Sequence, residues 1–180
     1  MRALVIAFAL MLTGTAHAQY VPPTTYDFSA QTRLFADDAA PEIILRYRNV
    51  TLDWIRRDTS ENFFKLKLDR QIIALMGSGI DWHVAVNGVA CHGSFAAEPS
   101  VGFKVYARIR PRLEVAVQFS GMTLGHRGHF TDFESGLKYF PQKNFSLSAG
   151  WRRISFKLRR GSEPTSFTLS GPFVGAQYDW

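Results

Sequence analysis

The feature that most constrains this chain is a period-two alternation carried to its last residue. In the stretch from Val174 to Trp180, Val174, Ala176, Tyr178 and Trp180 share one parity, and Gly175, Gln177 and Asp179 share the other. Successive side chains of a strand point to opposite faces, so this is a strand with an apolar, aromatic-tipped face and a polar face. Such a strand left as an exposed edge in water invites aggregation. A closed barrel removes the edge, and a membrane gives the aromatics an interface to occupy.

The same alternation recurs from Glu42 onward and predicts eight strands. The first runs from Ile43 to Arg56, with a phase slip near Arg48 that reads as a bulge or break. The second covers Phe63 to Ile73 and the third Ile80 to Val86. Residues 87–100 read as a long loop rich in Gly, Ala and Ser. The fourth, Val101 to Ile109, alternates most cleanly, and the fifth sets Leu113, Val115, Val117 and Phe119 against Glu114, Ala116, Gln118 and Ser120. The sixth carries Phe133, Leu137 and Tyr139. The seventh runs from Phe145 to Arg159, with a bulge expected near Arg152, and the eighth closes the chain. The expected fold is therefore all-β, an eight-stranded antiparallel up-and-down transmembrane barrel over residues 42–180.

The start of the chain predicts export. Met1-Arg2, an uncharged apolar run from Ala3 to Thr13 and Ala16-His17-Ala18 together read as a signal peptide over residues 1–18. Residues 19–41, with Pro22-Pro23 and Pro41, read as a periplasmic lead segment before the barrel. The chain carries 21 basic and 15 acidic residues, of which only Arg2 lies in the leader; the surplus is scattered and forms no stripe for nucleic acid. Cys91, the single cysteine, allows no internal disulfide.

Alternation alone does not say which parity faces the lumen. A soluble barrel turns the apolar parity inward; a membrane barrel turns it toward lipid. Aromatics near strand ends, at Trp54, Tyr139, Tyr178 and Trp180, favour lipid, as an interfacial girdle would. The polar parity mixes small residues with both signs of charge. Lys104, Arg108, Lys138 and Arg152 have Glu114, Asp132, Glu134 and Asp179 as expected partners in an interior polar network, and His83 beside Asp81 belongs with them. Arg153 breaks the pattern, because one phasing points it at lipid, and the bulge expected near Arg152 would need to turn it inward.

These residues resemble the small outer-membrane β-barrel proteins of Gram-negative bacteria, the OmpX-, OmpW- and OmpA-barrel class. The resemblance covers about Ile43 to Trp180 and rests on pattern. It implies a cell-envelope protein in the outer membrane, monomeric, in contact with lipid and lipopolysaccharide. It also implies that the C-terminal stretch ending in Tyr178 and Trp180 is a signal read by the barrel-assembly machinery. Most members end in Phe, so Trp180 is a departure.

Three motifs invite further chemistry. Some members of the resembled class are lipid A deacylases with a His-x-Ser pair and an acidic partner, and His92-Gly-Ser94 has that form, but here it falls in a Gly-rich stretch without fixed geometry. His126, His129 and Asp132 have a permissive metal spacing, yet on a strand that spacing splits them between faces. Arg127, Lys157, Arg159 and Arg160 are candidate lipopolysaccharide contacts at the outer rim. No catalytic residue, metal or cofactor is assigned. The expectation is a non-enzymatic barrel whose polar interior is filled, with a structural or surface-interaction role. The alternatives are a lipid A-modifying hydrolase and a soluble periplasmic ligand-binding barrel.

Overall fold

Ten antiparallel strands, each paired with the next, close into one barrel in the computed structural model, which describes residues 28–36, 39–58, 60–75, 77–91, 94–123, 128–160 and 163–180. In chain order they are β1 Phe28–Phe35, β2 Pro41–Tyr47, β3 Val50–Arg56, β4 Glu61–Leu75, β5 Ser78–Cys91, β6 Ser94–Arg110, β7 Leu113–Thr123, β8 Gly128–Gln142, β9 Phe145–Arg160 and β10 Glu163–Asp179. The seam is β1 against β10, with Ser29 opposite Asp179 and Phe35 opposite Phe173. Trp180 is tied to this seam, because its N–H donates to the Phe28 carbonyl at 2.9 Å.

The expected eight strands become ten for two reasons. First, the phase slip at Arg48 is a hairpin. Tyr47 pairs with Val50, so the chain reverses in two residues, and Arg48 takes a left-handed φ of 52° to do so. A two-residue turn sets residues three apart on the same face, which is what a one-residue slip of parity looks like in sequence. Second, residues 28–35, read above as lead segment, form β1. Its inward side chains are Ser29, Gln31, Arg33 and Phe35, and its outward ones are Phe28, Ala30, Thr32 and Leu34; the small Ala30 and the polar Thr32 interrupt the apolar face, and Phe35 ends the polar one, so the alternation is short and weak. The signal peptide and the lead segment up to residue 27 lie outside the described residues.

The long loop expected over 87–100 is also a hairpin. β5 runs to Cys91 and β6 starts at Ser94, with Asn87 opposite Glu98 and Val89 opposite Ala96. Nor is there a bulge near Arg152. The pairing of β9 with β10 is continuous from Tyr178↔Phe145 to Glu163↔Arg160, and that of β8 with β9 is unbroken from Gly128 to Tyr139. Every even-numbered residue of β9 from Ser146 to Leu158 keeps the same inward parity. What changes is the chemistry of that parity, from Ser146, Ser148, Gly150 and Arg152 to Ile154, Phe156 and Leu158.

The connections divide the barrel into two ends. At the end holding Phe28 and Trp180, the four links (48–49, 76–77, 111–112 and 143–144) are two residues each. This is called the turn end. The opposite, loop end has links of two to five residues, the longest being 36–40.

Side chains fill the interior in layers. At the loop end lies an apolar core of Phe35, Ile55, Phe63, Val89, Ala96, Phe130, Ile154, Phe156, Phe167, Leu169 and Phe173. Phe63 stacks on Phe130 and Phe167 with centroids 6.1 and 5.6 Å apart. Each fully buried Phe contributes roughly 1.5–3 kcal/mol. Below this core the interior is charged. The outward face carries the opposite set: Leu66, Val86, Val101, Leu137 and Val174 are each at least half exposed (53%, 54%, 61%, 50% and 61%).

Candidate functional site: a charged strut across the barrel

Arg152 on β9 is the centre of the interior polar layer and is 2% exposed. Its Nε and Nη2 donate to both Asp132 oxygens, at 3.0 and 2.9 Å, in the paired geometry that makes guanidinium–carboxylate contacts strong. Nη2 also donates to Asp53 Oδ2 at 2.9 Å, and Nη1 donates to Glu42 Oε1. Glu134 lies 3.7 Å from Nε. A second fork sits beside the first: Arg33 donates from Nη1 and Nη2 to the two Glu134 oxygens at 2.8 Å each, and reaches Glu42 Oε2 at 3.3 Å. Lys65 completes the set, donating to Asp132 Oδ2 at 2.8 Å and Ser120 Oγ at 2.7 Å.

These residues come from β1, β2, β3, β4, β7, β8 and β9, so the contacts cross the lumen and brace opposite walls. Three cations face four carboxylates, and each charge has partners; that is the condition under which buried ions persist. The strut also closes the lumen, with the Phe-rich core directly above it. A glycine pair lets Phe173 pack beside the strut. Gly136 and Gly150 face each other across β8 and β9, and a Cβ on Gly150 would stand 2.9 Å from the Phe173 ring. The Arg33 guanidinium in turn lies 4.4 Å over that ring.

Toward the turn end the interior loosens into a polar cavity of about 160 Å³. Lys104, Glu114, Gln118 and Lys138 line it. Lys138 donates to Gln177 at 2.8 Å, and Gln177 to Asp179. Lys67 bridges Asp69 at 3.2 Å and Gln118 at 3.3 Å.

The expected network residues therefore separate into two groups. Asp132, Glu134 and Arg152 meet in the strut. Lys104, Arg108, Glu114, Lys138 and Asp179 all take the inward parity, but among the described residues none of them makes an ion pair within 4.0 Å. Lys104 lies 5.5 Å over the Tyr106 ring and Arg108 5.2 Å over that of Phe140. His83 is buried, with Nδ1 4.0 Å from Asp69 and neither ring nitrogen hydrogen-bonded. Sequence reading missed Arg33, Glu42, Asp53 and Lys65, the strut's other half. Asp53 and Lys65 had the signal in plain view, since each sits on the polar parity of an expected strand. Arg33 lay in the presumed lead segment, and Glu42 stood at its border.

The remaining candidates do not assemble. His92 lies outside the described residues; Ser94 is exposed, and its hydroxyl donates to the Cys91 carbonyl at 2.7 Å. His126 and Arg127 lie outside the described residues as well. His129 faces outward while Asp132 is buried inside, and no cluster of metal-ligating residues occurs among the described residues. Lys157 is exposed on the outer face near the loop end; Arg159 and Arg160 follow on β9, their side chains outside the described set. Tyr178 and Trp180 point outward at the turn end, edge to face with centroids 4.9 Å apart, and Phe28 packs 5.1 Å from Trp180. No protein-family model matches this chain, and no curated protein matches it in sequence.

Proposed function

We propose that this chain is a non-enzymatic outer-membrane β-barrel of the cell envelope, exported through a cleaved signal peptide and held by lipid around its apolar outer face. The observation that carries the reading is the inversion of polarity over the turn-end part of the wall. There, outward positions on successive strands are Leu52, Leu66, Val84, Phe103, Val117, Leu137, Leu147 and Val174, all at least 37% exposed, while Lys65, Asp132 and Arg152 are buried in the lumen. A contiguous apolar belt of this kind far exceeds the patches that soluble monomers tolerate. Lipid is the environment in which a closed barrel with a charged interior and an apolar exterior is stable.

Further support comes from the aromatics. Tyr47, Trp82, Tyr139, Tyr178 and Trp180 face outward on the turn-end part of the wall, and Trp54 and Trp151 lie nearer the loop end, as two interfacial belts would. Two-residue turns throughout one end and links of up to five residues at the other fit a periplasmic and an outer side. The strut and the Phe-rich core fill the lumen, so the barrel acts as a plugged body and not as an open channel. Its role is structural or surface-interacting, with outer-membrane lipid, lipopolysaccharide and the barrel-assembly machinery as partners.

Fractionation tests this reading. The protein should be found in the outer membrane, and the extracted protein should run compactly on a gel before boiling and more slowly after it. Recovery in the soluble periplasmic fraction would overturn the proposal.

A further inference from the structure

On β8, β9 and β10 the outer face changes character within one register row. Ser135, Trp151 and Pro172 stand side by side, and below them Leu137, Ala149 and Val174 continue the apolar belt. The next row toward the loop end is Phe133, Arg153 and Ser170; then come Thr131, Ser155 and Thr168, and last His129, Lys157 and Ser166. Among the described residues, the outward face of these strands above Trp151 and Phe133 is thus hydroxyls, one imidazole and two permanent cations. No carboxylate shares it among the described residues, and neither Arg153 nor Lys157 has a carboxylate within 4.0 Å. On the opposite wall apolar side chains persist outside: Phe64 and Phe95 remain exposed close to the loop end, at 37% and 62%.

Resting on the membrane reading above, we infer that this face binds the phosphorylated headgroup of a glycolipid whose acyl chains lie against the belt below it. Arg153 and Lys157 supply cations for phosphate, Arg153 with the planar fork that matches phosphate oxygens. They stand four residues apart on one strand, about 13 Å, so they engage separate groups of one headgroup. The hydroxyls of Thr131, Ser155 and Thr168 form a row between them and hydrogen-bond sugar hydroxyls. Trp151, 46% exposed one row below Arg153, marks the level where headgroup gives way to chains. The position that seemed out of phase in sequence, Arg153, is on this account the floor of a lipid site.

Native mass spectrometry of the folded full-length barrel, released from micelles doped with equal amounts of lipid, tests the inference. The probes are diphosphorylated lipid A, phosphatidylglycerol and phosphatidylcholine. Lipid A should be retained most, phosphatidylglycerol less and phosphatidylcholine least. The double substitution Arg153→Gln, Lys157→Gln should weaken lipid A retention about thirtyfold, the effect expected of two basic groups at an anionic lipid surface. Arg56→Gln, an exposed cation on the other wall, should leave it unchanged. Equal retention of all three lipids, undiminished lipid A binding by the double variant, or protein dimers in place of lipid adducts would overturn it. Heat-modifiable gel mobility of each variant reports folding separately. A wild-type chain that takes up no lipid and is soluble without detergent would refute the membrane reading itself.

Discussion

The two halves of the lumen are built from the same inward parity of the same strands, yet they hold together by opposite means. On β9, Arg152 and Ile154 are consecutive inward residues. Arg152 binds Glu42, Asp53 and Asp132, while Ile154 is wholly buried in a core with Phe130, Phe156 and Leu169. The outer face inverts in step on β8 to β10, from Leu147 and Trp151 to Ser155 and Lys157. On these three strands, where the wall is apolar outside it is ionic inside, and where it is polar outside it has an ordinary hydrophobic core. The lesson is that the direction of a side chain is set by strand geometry, whereas the chemistry placed there changes along the strand independently of that direction.

Substitutions can break this contrast. The largest effect is expected from Arg152→Leu, which leaves Glu42, Asp53 and Asp132 buried without their common partner. Removing one member of a buried ion set costs about 3–5 kcal/mol, and urea unfolding in micelles, followed by gel mobility, should show it as a matching loss of stability or a failure to fold. One step along the same strand, Ile154→Ala should cost about 2–4 kcal/mol through transfer and cavity terms alone. Its cost should be insensitive to salt and pH, which separates an apolar layer from an ionic one. On the outer face, Ala149→Arg places a charge in the belt and should destabilise the bilayer-inserted barrel by about 2–4 kcal/mol, falling toward zero near the interface. Thr168→Arg, above Trp151, should cost less than about 1 kcal/mol in the same assay. A change of similar size is expected from Lys138→Gln at the polar cavity, about 1 kcal/mol, because its hydrogen bond to Gln177 is the only one it makes to a side chain among the described residues.

Much of the fold was legible because β4, β6, β7 and the end of β10 alternate strongly between apolar and charged residues. The illegible parts have three physical causes: weak contrast between faces, an inversion of both faces, and a turn that shifts parity. In β1 Ala30 and Thr32 interrupt the outward face between Phe28 and Leu34, and Phe35 ends the polar inward set. In the β5–β6 hairpin, Ala90 and Ala97 face out while Val89 and Ala96 face in, so no periodicity survives. At Arg152 the inward set turns apolar while the outward set turns polar, and a change of environment imitates a change of register. The hairpin at Arg48 imitates one too, because a two-residue turn shifts parity without breaking the strand pattern. Half of the strut could be read, since Asp132, Glu134 and Arg152 lie on the polar parity of expected strands. The other half depends on long-range pairing: Arg33 and Glu134 meet only once β1 has closed the barrel.

The proposed lipid boundary crossing β9 at Trp151 can be tested directly. In a Cys91→Ser background, Ala149→Cys and Ser155→Cys each place one thiol on the outward face of the same strand, on either side of Trp151. The barrels are reconstituted in bilayers and exposed to a membrane-impermeant maleimide. Position 155 should label readily, whereas position 149 should label only after detergent solubilisation or unfolding. Equal labelling of both in intact bilayers would contradict the account.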